Sequence, residues 1–126
     1  NLVTTLPWDT NVYDTDAMQI STVATSGGLI FPTTGVYHLE AAVTFVQNGA
    51  GQRGLRIEYN STIIALSYVE AASSGITGLY VGTDYLVAST ADVVKATVFQ
   101  DCGTTLSLAA NAPYQFLSAH WIGRAA

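Results

Sequence analysis

The sequence predicts an all-β protein, an antiparallel sandwich of two sheets, and three observations predict it. Residues 36–46 alternate strictly: Tyr37, Leu39, Ala41, Val43 and Phe45 fall on one face, and His38, Glu40, Ala42 and Thr44 on the other. That period of two belongs to a strand with one face on a core. Val, Ile, Thr, Tyr and Phe dominate about eight to ten short runs, while Gly, Ser, Asn and Asp dominate the joints between them. Finally, no segment carries a helical apolar stripe longer than about two turns, too little for an independent helix.

Taken in order, residues 1–10 read as the end of a linker or stalk entering from a longer chain, and residues 11–126 as a single head domain. Strands over 10–13 and 19–23 flank a polar turn at Asp14, Thr15 and Asp16. The run 29–31 stops at Pro32, because proline donates no ladder hydrogen bond. A Pro-Thr-Thr-Gly turn opens the long strand 36–46. A Gly-rich connection, 48–54, leads to a second strand that ends at Asn60-Ser61, a pair suited to a two-residue hairpin turn. Further strands are expected over 63–69, 79–87, 93–100, 105–109 and 114–122, with a small-residue loop at 71–78.

Composition narrows the function classes. A chain of 126 residues is one domain and buries a core without disulfides. Charged residues are 10% against roughly 25% in ordinary globular proteins, which points to surface covered by other copies or by more of the chain. The net charge of −5, with only four Lys and Arg, leaves no basic patch for nucleic acid. No apolar run approaches the roughly 18 residues of a transmembrane span, so no membrane insertion is expected.

Three places resemble a known family. Thr34-Gly35-Val36-Tyr37-His38-Leu39 is similar to a Gly-x-Tyr strand opening; Ala91 to Val98 resembles an Asp-x-Val strand followed by a Gly turn at Gly103; and Tyr114 to Ala119 stands where a Phe-bearing central strand would. In that order they resemble the jelly-roll superfamily of tumour necrosis factor and the complement globular heads, in its bacterial and phage branch. The resemblance implies a TNF-like jelly roll and a homotrimer at the tip of a fibrous or collagen-like stalk.

Physical chemistry gives such a head a reason to assemble. In 93–100 both faces carry apolar groups, Val94, Ala96 and Val98 on one and Val93 and Phe99 on the other. The strand 114–122 does the same. Burial of both faces in an antiparallel sheet calls for cover on the second side. The expectation is a trimer through one sheet containing 36–46, 93–100 and 114–122, with His38, Phe99 and Phe116 near the three-fold. Histidines gathered at such an axis, His38 or His120, would have their pKa lowered by burial, and mild acid would weaken the assembly.

Other constellations are weaker. Asp14 and Asp16, with Asp9 nearby, offer oxygens to calcium, but they lack the carboxylate number and bend glycine of a calcium loop and suit an Asx turn. No transition metal and no cofactor is expected, since His38 and His120 have no partner at ligand spacing. Cys102, the only cysteine, has no histidine near it in sequence. No strand-to-helix nucleophile elbow is present, and Glu40 and Glu58 suit polar strand faces, so the chain reads as non-enzymatic. Recognition would fall to the loops, at Gln47, Asn48 and Gln52 and at Ser73, Ser74 and Thr77. A neutral saccharide or cell-wall polymer is the expected ligand, and a protein receptor the alternative. Stacking aromatics would come from Trp8, Tyr59, Tyr68, Tyr80 and Tyr85. Two functions stay open: a host-recognition tip of a virion fibre or tail, and a structural head nucleating a collagen-like stalk on a bacterial or spore surface. Both place the protein on a virion or outside the cell.

Overall fold

A computed structural model describes residues 2–6, 27–109 and 115–125. Among them are eight strands and no helix: β1 (Leu2–Thr5), β2 (Leu29–Ile30), β3 (Gly35–Phe45), β4 (Gln52–Tyr59), β5 (Thr62–Glu70), β6 (Thr77–Val87), β7 (Val93–Gln100) and β8 (Phe116–Gly123). All pairings are antiparallel. They form a larger sheet in the order β1-β7-β4-β5, with β2 also on β7, and a smaller sheet in the order β6-β3-β8.

The alternation expected of 36–46 is the alternation observed. Tyr37, Leu39, Ala41, Val43 and Phe45 point into the core, where they meet Leu79, Val81 and Val87 of β6 and Leu55, Ile57, Val94, Ala96 and Val98 of the larger sheet. One apolar layer between two sheets makes the molecule a β-sandwich. Asn60 and Ser61 both have positive φ, 47° and 71°, so the β4–β5 turn is the tight hairpin that the pair suggested.

Three expectations are corrected. Residues 2–6 are not linker: β1 pairs with β7 from Leu2↔Gln100 to Thr5↔Thr97, and Leu6 is buried in the core. The run 105–109 forms no strand; it touches the sheet through one bridge, Phe45↔Leu108. Nor do 36–46, 93–100 and 114–122 share a sheet. β3 and β8 are neighbours, but β7 lies in the other layer, because its inner face of Val94, Ala96 and Val98 packs across the core from β3 instead of beside it. Phe99 is therefore separated from His38 and Phe116. The expected strands at 10–13 and 19–23, together with Trp8, Asp9, Asp14, Asp16 and Tyr114, lie outside the described residues.

The second face of β7 is covered from within the chain. Gly54 stands opposite Phe99 on β7 and Tyr68 on β5. A Cβ at Gly54 would overlap the Phe99 ring, so the ring lies over the bare backbone. Tyr68 meets Phe99 edge-on, centroids 5.1 Å apart and planes at 82°, and Thr97 beside them is buried.

Candidate functional site

Two surfaces merit description, one at an end of the sandwich and one on a sheet face. At the end, the two loops singled out from sequence come together. Ala71 donates its N–H to the Gly51 carbonyl at 2.9 Å, Gln52 Nε2 donates to Glu70 Oε1 at 2.8 Å, and Ala50 N–H donates to Asn48 Oδ1 at 3.0 Å. Gln47, Ser73 and Ser74 are exposed there. Thr77 is withdrawn from the surface: it is the first residue of β6, 5% exposed, and its Oγ1 accepts the Ala72 N–H at 3.2 Å.

A third segment, 101–104, completes this end, and the sequence reading had not included it. Asp101 Oδ1 accepts the Gln52 N–H at 2.5 Å. Gly51, at φ 72°, sits where a side chain would overlap that carboxylate. Cys102 is half-buried, and the Thr104 hydroxyl beside its sulfur holds the thiol below its ordinary range.

Arg53 organises the whole end, and it was also missed. Its side chain is 0% exposed. Nη1 donates to the carbonyls of Ala50 at 2.9 Å and Gln52 at 3.0 Å, and Nη2 to that of Asn48 at 2.8 Å. Its guanidinium stands 5.8 Å from the Phe45 ring centroid. A buried cation facing three carbonyls fixes the path of 48–52. The signal was present in the strand's own alternation, since Arg53 shares its parity with Leu55 and Ile57.

The second surface is the outer face of the β6-β3-β8 sheet. Cross-strand rows place Asp84, His38 and His120 side by side, then Gly82, Glu40 and Ser118, then Tyr80, Ala42 and Phe116. His38 Nδ1 lies 2.6 Å from Asp84 Oδ1, and its Nε2 lies 3.4 Å from Glu40 Oε1. Tyr80 donates its hydroxyl to the same Glu40 oxygen. The Asp84 hydrogen bond raises the His38 pKa above its ordinary 6.5, and the Tyr80 hydrogen bond lowers that of Glu40. Within the chain this reverses the expected direction for His38, because carboxylate partners outweigh desolvation on an open face. Ala42, Thr44, Gly78, Tyr80 and Phe116 line a shallow apolar depression of ≈ 450 Å³ beside this network.

Among the expected stackers, Tyr59 and Tyr85 pack on one another at 4.8 Å, and Tyr59 gives its hydroxyl to Asp92. Tyr68 and Tyr80 are each 54% exposed, on opposite outer faces of the sandwich. Among the described residues no cluster of three or more His, Cys, Asp or Glu is placed to hold a metal ion. No protein-family model matches the chain, and no curated protein matches it.

Proposed function

We propose that this chain is a non-enzymatic head of a homotrimeric fibre, at the tip of a phage fibre or tail or of a cell-surface fibre. Its end built from 47–52, 71–77 and 101–104 recognises a saccharide receptor on the host. The finer fold assignment is a jelly roll. Its support is that β3, β4, β6, β7 and β8 each lie in the sheet opposite to the described strand before them, while β2 and β5 stay in the larger sheet.

The observation that carries the assembly is the outer face of β6-β3-β8. Tyr80 is 54% and Leu86 47% exposed, and both share that face with Val36, Ala42 and Phe116. Apolar groups beside a satisfied polar network are what the covered core of an interface requires. Light scattering at micromolar concentration tests it: a trimer supports the reading and a clean monomer ends it. Adsorption of the purified domain to host cells, with and without their surface polysaccharide, tests the recognition half.

One observation favours the runner-up, a structural head that nucleates a collagen-like stalk. Much of the loop end's polar capacity is spent internally, on Arg53, Asp101 and the Gln52–Glu70 pair. A trimer that adsorbs to no host surface selects this second reading.

A further inference from the structure

Arg56 is a cation with no anion beside it among the described residues. The protein carries nine Asp and Glu against four Lys and Arg, so acids are plentiful. Yet among the described residues the Arg56 guanidinium makes no ion pair or hydrogen bond, and its Nε is buried with no partner. The nearest acid on its own strand face, Glu58, is turned to Thr97, whose Oγ1 donates to Glu58 Oε1 at 2.8 Å. Arg56 instead rests on Phe99, its guanidinium carbon 5.1 Å from the ring centroid. Tyr68, half exposed, stands across the same ring at 82°. These three side chains form a corner on the outer face of the larger sheet: Phe99 is the floor over Gly54, Tyr68 the upright wall, and Arg56 the charged side.

We propose that this corner binds a carboxylate-bearing saccharide, a sugar of the uronic acid type. With Nε buried, the two Nη groups of the half-buried Arg56 are the fork that would meet a carboxylate. The apolar C–H face of a pyranose fits against an exposed aromatic ring such as Tyr68. Phe99 holds the fork in place through its cation–π contact. A dense polyanion does not fit, since the site offers one fork on a protein of net charge −5. A second copy packed on this face would bury Arg56 unpaired unless it brought an acid of its own, which is costly. The site is separate from the loop end and does not rest on the trimer.

The test is titration of the intact domain with an alginate-derived uronate trisaccharide at low salt, with neutral cellotriose as the control, followed by calorimetry and by chemical-shift mapping. The uronate should bind at least about tenfold more tightly than cellotriose, as one charge-assisted hydrogen-bonded pair implies. Shifts should centre on Arg56, Leu66, Tyr68 and Phe99. Arg56→Gln and Tyr68→Ala should each weaken binding about tenfold, with added salt weakening the wild type in the same direction. The wild-type map stands even where a variant fails to fold. Equal binding of the two sugars, shifts centred on the loop end, or no uronate binding at millimolar concentration would overturn the site. A change of molecular mass in Tyr68→Ala would overturn it too, by making this face a contact between copies.

Discussion

Phe99 can lie flat on the sheet only because position 54 has no side chain, and the two residues stand or fall together. Gly54→Ala would drive a methyl into the ring and force Phe99 off its rotamer, as overpacking does. The expected loss is about 1–3 kcal/mol by urea unfolding, with the Tyr68 contact disturbed as well. Arg53 is the opposite case, a residue whose value lies in what it donates. Arg53→Met keeps most of the buried volume but leaves the carbonyls of Asn48, Ala50 and Gln52 without their donor. A loss of about 2–3 kcal/mol is expected, accompanied by faster amide exchange confined to 48–52. Exchange that accelerates across the whole sandwich instead would deny Arg53 its local role.

The β4–β5 hairpin and the loop before β7 are tied by one carboxylate. Asp92 receives the Tyr59 hydroxyl, Asn60 Nδ2 at 2.8 Å and the Ser89 N–H at 2.7 Å, while Asn60 Oδ1 accepts the Val93 N–H at 2.9 Å. These bonds, Tyr59 first, hold the Asp92 pKa below its ordinary value. At the turn itself Ser61 has φ 71°, a conformation that costs an L side chain energy and glycine nothing. Ser61→Gly should therefore stabilise the domain by about 0.5–1 kcal/mol, read as a higher urea midpoint at unchanged slope. At this scale most strands were legible, because β3, β6 and β7 carry period-two patterns, with Gly35 opening β3 and Asp92 and Asp101 bracketing β7. What alternation could not give was the partner. The faces of β7 are apolar whether it lies beside β3 or across the core from it, so Phe99 was assigned to the wrong sheet. Arg56 was likewise invisible as a feature, since being unpaired is a property of its surroundings.

For the whole molecule, pH and assembly are the accessible tests. The His38 pKa is raised above its unfolded value, so its stabilising contribution is full below about 6.5 and is lost as pH rises through the folded value. Asp84 on β6, Glu40 on β3 and His120 on β8 are the titratable groups around it. Glu40 and Asp92, with lowered pKa values, contribute above their unfolded values and fail only as pH falls through the folded ones. The melting temperature should be higher near pH 6 than near pH 8.5, and His38→Gln should flatten that difference. A melting point that instead drops in mild acid would show that desolvation of His38 between copies outweighs its Asp84 and Glu40 partners. If the outer face of β6-β3-β8 joins three chains, Leu86→Asp should convert a particle of about three times 13.3 kDa into a monomer. A trimer that survives this change would move the interface elsewhere.

The pairing of β1 with β7 also sets an order of events. Leu2 finds its partner at Gln100 and Thr5 at Thr97, so β1 has no ladder partner until β7 has been made. The β4–β5 hairpin can close locally within microseconds, whereas the edge formed by β1 requires closing the loop from Thr5 to Thr97. During synthesis Leu2, Val3 and Leu6 wait unpaired, a short apolar segment exposed to any other open strand edge. The slowest step of folding, and the one most open to exchange of a strand between neighbouring nascent chains, is thus expected to be the docking of residues 2–6.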